Sequence, residues 1–108
     1  MTRLAMIVKT TVQPGQRDAV RDLFTRHLGA RALANDAQEI LIWCDDDANP
    51  DVFYLFEIYR DRAAFQANAQ AAAQEGWFQA YLQQAQPLLA GQPEVIMASP
   101  QWAKGVAL

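Results

Sequence analysis

The chain has 108 residues, the size of one ordinary domain, and 52% of them are hydrophobic against 19% charged. Lys and Arg number 9 and Asp and Glu 12, a formal charge of −3, so the composition offers no basic surface for nucleic acid or for an anionic membrane. The one cysteine, Cys44, excludes an intramolecular disulfide and fits the reducing cytoplasm, and no apolar stretch approaches a membrane span or a cleaved signal, since the opening run Met1–Val8 meets Lys9 at once.

Leu4 to Val12, rich in Ile, Val and Thr, reads as a strand ending at the Pro14-Gly15 turn. From Gln16 the period lengthens. Val20, Leu23, Phe24, His27, Leu28 and Arg31 recur at three and four residues, which predicts an amphipathic helix to about Leu33, broken by Asn35-Asp36. Glu39 to Cys44 and Val52 to Arg60 are strands joined by the polar loop Asp45–Asp51, an antiparallel hairpin. Asp61 is suited to cap a helix whose apolar side carries Ala64, Phe65, Asn68, Ala69 and Ala72. Gly76 interrupts it. Trp77, Phe78, Tyr81, Leu82 and Ala85 then mark a second helical piece that stops before Pro87. Glu94 to Ser99 is the last strand, and residues 100–108 form a tail. The order predicts one α+β domain over residues 1–108: a ferredoxin-like, four-stranded antiparallel sheet with its helices on one face.

Side chains alternate across a strand, so Phe53, Leu55, Glu57 and Tyr59 share one face and Tyr54, Phe56, Ile58 and Arg60 the other. Both faces are largely apolar, and so are both faces of Ile40–Cys44. A half-solvated antiparallel sheet alternates apolar with polar residues, so each face of this one needs a cover. The helices supply one. A second copy of the sheet is the simplest other cover and predicts a homodimer. Burying ~600 Å² of apolar area per partner would contribute on the order of 15 kcal/mol before association costs. The monomeric alternative folds the tail, with Trp102, Val106 and Leu108, back over the sheet.

Cys44 has neither a Cys-x-x-Cys partner nor a basic neighbour and reads as an inert thiol. Asp45, Asp46, Asp47 and Asp51 lack the Gly and bidentate Glu of a calcium loop, and a chain with one histidine cannot build a multi-histidine metal centre within one subunit. No metal site is expected.

Four segments resemble one family. Val12-Gln13-Pro14-Gly15-Gln16 is similar to its strand-to-helix turn. Phe53 to Phe65 is similar to its strand ending in Glu-x-aromatic, followed by Asp and a helix with paired alanines. Trp77 to Tyr81 is similar to its next helical turn, and Glu94 to Ser99 to its closing strand. Over about residues 3–99 the chain resembles the antibiotic biosynthesis monooxygenases, a dimeric α/β-barrel group that includes quinol monooxygenases. Where that family commonly carries a histidine on the second helix, this chain has Asn68.

The resemblance implies a small aromatic substrate, quinol-like or polycyclic, oxidised by dioxygen without metal or organic cofactor. Such a reaction needs a dry pocket, donors for an oxyanion and a base. Asn68, Trp77 and His27 are then the catalytic candidates: amide N–H, indole N–H and imidazole base. Each also has a purely structural reading as a bonded amide, core filler or a partly covered ring. Phe65, Phe78, Tyr81, Tyr54 and Glu57 are the substrate-contact candidates. Glu57 either meets an arginine (Arg3, Arg60 or Arg62) across the dimer or lines a polar pocket. The alternative function is a non-enzymatic binding or stress-response protein on the same barrel. A haem-degrading relative ranks last without an axial histidine, and an isomerase of small polar compounds remains open on this fold.

Overall fold

The computed structural model describes residues 2–105 and 107–108; Met1 and Val106 lie outside the described residues. Strands β1 (Leu4–Thr11), β2 (Gln38–Asp45), β3 (Val52–Tyr59) and β4 (Glu94–Ala98) form one sheet in the order β2-β3-β1-β4, antiparallel at every pairing. Helix α1 (Arg17–Phe24) runs through a wider π-helical turn (Thr25–Gly29) into α2 (Ala30–Ala34), and α3 (Arg62–Glu75) is followed by α4 (Trp77–Ala85). This is the ferredoxin-like α+β arrangement that the order of hydrophobic periods predicts.

Local chemistry fixes the helix ends. The Asp61 carboxylate accepts a hydrogen bond from the Ala64 backbone N–H at 2.7 Å, the expected N-cap of α3. Gly76 closes α3 at φ +75°, a conformation that a β-carbon makes costly. The break turns the chain so that Trp77 starts α4 in a new direction. The first helix differs from its simple 3.6-residue reading: the π turn inserts extra backbone between Val20 and Arg31.

Strand register decides which side chains share a row. On the helix side Leu41, Glu57 and Met6 lie in one row, and Trp43, Leu55 and Val8 in the next. Trp43 stacks on Phe53 with ring centroids 3.7 Å apart, and Phe53, Val12 and Val20 form the core beneath α1. On the other side two rows are apolar, Ile42-Phe56-Ile7-Ile96 and Ile40-Ile58-Ala5-Ala98. A third row holds Cys44, Tyr54, Lys9 and Glu94, the last two 3.9 Å apart as an ion pair. Ile42, Phe56 and Ile96 stay 50%, 39% and 58% exposed, and Trp102 of the tail is itself exposed. The described part of the tail therefore does not roof this face. No helix among the described residues is long and apolar enough to cross a membrane.

Candidate active site

Between the sheet and the helices lies a cavity of about 380 Å³, within the range of small-molecule sites. The sheet provides its floor with Met6, Leu41, Leu55, Glu57, Tyr59 and Gln38. One wall is Phe24, Leu28, Arg31 and Ala32 from the first helical segment. The other is Phe65, Asn68, Ala69, Ala72 and Ala73 of α3, with Trp77 and Phe78 of α4. The period of three and four that places Phe65, Asn68, Ala69 and Ala72 on one side of α3 aims that side at the cavity.

The polar groups of this apolar space converge on one chain of hydrogen bonds. Glu57 Oε1 accepts from the Tyr59 hydroxyl and from Gln38 Nε2, both at 2.8 Å. The Tyr59 oxygen accepts in turn from Gln38 Nε2 at 3.1 Å and from Asn68 Nδ2 at 3.2 Å. Asn68 Oδ1 accepts from Asn35 Nδ2 at 3.2 Å. Tyr59 thus donates once and accepts twice, which uses all its capacity. On Glu57 the contacts fall on Oε1, and among the described residues Oε2 takes no hydrogen bond.

Burial between Leu41 and Met6 pushes the Glu57 carboxyl above its ordinary pKa, and the donors Tyr59 and Gln38 offset part of that rise. Burial, then the neighbouring Glu57 charge, pushes the Tyr59 hydroxyl well above its ordinary value, so it stays a protonated donor. Within the chain, the described arginines are held elsewhere. Arg3 is held by both oxygens of Glu39 at 2.6 and 3.1 Å, Arg60 lies 3.9 Å from Asp61, and among the described residues Arg62 forms no ion pair with Glu57.

Of the residues singled out from sequence, Asn68, Trp77, Phe65, Phe78 and Glu57 meet at the cavity. Three do not line it. Tyr54 is on the opposite sheet face, where its hydroxyl donates to Asp46 Oδ2 at 2.7 Å; strand alternation separates it from Glu57. Tyr81 packs behind the wall with Leu28 and Ala85, edge-on to Phe24, and burial pushes its hydroxyl up to about 12. His27 sits in the π turn, which presents Phe24, Leu28 and Arg31 to the cavity in its place. Its Nε2 and the Trp77 Nε1 are buried without a hydrogen-bond partner among the described residues. Sequence reasoning missed the site roles of Gln38, Asn35 and Arg31, and it left open whether Tyr54 or Tyr59 faces the cleft. Tyr59 follows Glu57 by two on the same strand face, and that spacing was the available signal. Gln38 and Asn35 become neighbours only through the pairing of β2 with β3 and the approach of α3.

The family model for antibiotic biosynthesis monooxygenase matches residues 3–80. The chain belongs to the antibiotic biosynthesis monooxygenase family. No curated protein matches it. Among solved structures, a Nitrosomonas europaea protein of unknown function is 26% identical, with 99% of this chain and 97% of that one covered and a TM-score of 0.77. A candidate antibiotic biosynthesis monooxygenase from Chloroflexus aurantiacus is 19% identical over 97% and 99% of the two chains, TM-score 0.75. Another from Caulobacter crescentus is 16% identical over 94% and 92%, TM-score 0.81. At those identities the last two establish the shared fold alone.

Proposed function

We propose that this family member is a monooxygenase that oxidises a quinol-like or polycyclic phenol with dioxygen, using its own side chains and no cofactor, and that it acts as a homodimer joined through the open sheet face. The observation that supports it is Glu57: a buried carboxylate with one oxygen unbonded among the described residues, at the floor of an apolar cavity, linked through Tyr59 to the amide of Asn68.

In this reading Glu57 takes the phenol proton, and its raised pKa narrows the gap to a phenol. The phenolate passes one electron to dioxygen, giving a phenoxyl radical and superoxide. These combine at a ring carbon that bears hydrogen, forming a C–O bond. Loss of that C–H proton breaks the O–O bond: one oxygen stays as the carbonyl and the other leaves as hydroxide, which takes a proton to become water. Substrate and dioxygen supply every atom and electron. The second N–H of Asn68 and the unpartnered indole N–H of Trp77 are the donors for the anionic oxygen. The apolar walls keep water from the radical pair.

A binding-only role has one observation in its favour. Asn68 is already engaged on both sides, by Asn35 and by Tyr59, which leaves a single N–H for any ligand. Oxygen uptake with a dihydroxynaphthalene or an anthrone, without added metal or flavin, separates the two. Uptake above the uncatalysed rate, lowered at least about tenfold in Asn68→Ala and in Trp77→Phe, supports the oxygenase. Background uptake across a broad phenol panel returns the protein to the binding role.

A further inference from the structure

A second, open hollow of about 730 Å³ runs along the outside between α2 and α3, floored by Ala63, Ala67 and Ala71. It shares Arg31, Asn68 and Trp77 with the inner cavity, so these side chains are the partition between the two spaces. Asn68 is tied down by its two hydrogen bonds. Trp77 packs against the cluster of Leu28, Tyr81 and Ala85. Arg31 is different. Its side chain is 46% exposed, its guanidinium lies 5.3 Å from the centre of the Trp77 ring, and its Nη1 meets Glu75 Oε1 at 2.6 Å, with Glu75 equally exposed at 45%.

Arg31 is also the one cation among the residues that line the inner cavity. An exposed pair such as Arg31–Glu75 is weak, because water screens its charges and holding two long side chains costs entropy, so a ligand anion competes with Glu75 on nearly even terms. The guanidinium presents five N–H donors in a plane, and a carboxylate accepts two of them side by side. Stacked on Trp77, it is already oriented at the passage. On the sheet floor of the cavity stands the carboxyl of Glu57, which suits a hydroxyl and not an anion.

We propose that the outer groove is the entrance to the cavity and that Arg31, parked on Glu75 when the site is empty, recognises an anionic substituent of the substrate, so that the preferred ligand is an aromatic with its phenol at the Glu57 end and a carboxylate at the Arg31 end. This rests on the cavity being an aromatic-ligand site, but not on oxidation taking place there.

The test is equilibrium binding under argon, read by tryptophan fluorescence, with 2-naphthol and 6-hydroxy-2-naphthoate as probes, the second carrying its hydroxyl and carboxylate at opposite ends of the ring system. The native protein is expected to bind the carboxylate probe about tenfold more tightly than the neutral one. Arg31→Gln brings the two within about twofold by weakening the carboxylate probe. Glu75→Gln removes the competing anion and tightens the carboxylate probe alone. An unchanged preference in Arg31→Gln, or no preference in the native protein, overturns the assignment while the oxygenase reading stands. A preference that depends on Arg31, with no oxygen uptake, leaves it standing and removes the oxygenase. Failure of both probes to bind removes both.

Discussion

The hydroxyl of Tyr59 donates to Glu57 Oε1 across 2.8 Å, and both residues are buried, at 1% and 7% exposure. They stand two apart on β3, so the strand's own alternation sets them side by side on the floor of the cavity. A carboxylate among apolar neighbours is costly unless it is bonded or protonated. Here one oxygen is bonded by Tyr59 and Gln38, and among the described residues the other takes no hydrogen bond. This relationship generates the first two predictions.

The oxidation rate is expected to rise with pH through the pKa of Glu57, at a pH above the ordinary carboxylate range, because the base acts only when ionised. Glu57→Gln should lose this limb and about 10²–10³ of kcat/KM. Stability runs the opposite way. The folded state holds the Glu57 proton more tightly than an unfolded chain with a pKa of 4.5, so the contribution is full below that value and is lost as pH rises through the folded pKa. Thermal melts of Glu57→Gln should lack that component. A pH–rate profile identical to the native one in the variant would remove Glu57 as the base.

Tyr59→Phe removes an oxygen that serves Glu57, Gln38 and Asn68 together. Leaving those buried partners short should cost about 1–3 kcal/mol in chemical denaturation. The Tyr59 hydrogen bond holds the Glu57 pKa down, so its loss should move the acid limb of the rate profile to still higher pH. A profile that stays in place would show that the hydroxyl does not act on the carboxyl.

Arg17 clamps the β2–β3 loop. Its Nη1 donates to the carbonyls of Asp46, Asn49 and Val52 at 3.1, 3.0 and 3.0 Å, and its Nη2 lies 3.4 Å from Asp45. Arg17→Ala should destabilise the protein by about 1.5–3 kcal/mol and speed hydrogen exchange in residues 46–52. The cavity takes no side chain from this loop, so ligand binding should survive. Equal exchange rates in the two proteins would refute the clamp.

If the open face is the dimer surface, light scattering should report twice the 12.1 kDa chain mass. Phe56 and Ile42 face each other at the centre of the exposed apolar row, and Phe56→Asp should release monomers by placing a charge there. A native protein of single-chain mass at micromolar concentration would leave this face without its proposed cover.

The strands, the helices, the Asp61 cap and the Gly76 break were legible because hydrophobic period, capping and turn chemistry are local properties of the chain. The same periodicity put Phe65, Asn68 and Trp77 on the inward sides of their helices, and they meet in one cavity with Glu57. It misled at His27 because a π turn adds backbone that a 3.6-residue count does not contain. Which sheet face lies beneath the helices, and hence that Tyr59 and not Tyr54 belongs to the site, was decided by tertiary packing alone. The contacts of Gln38, Asn35 and Arg31 join residues far apart in sequence. Strand register and helix docking set those distances, and no local pattern encodes them.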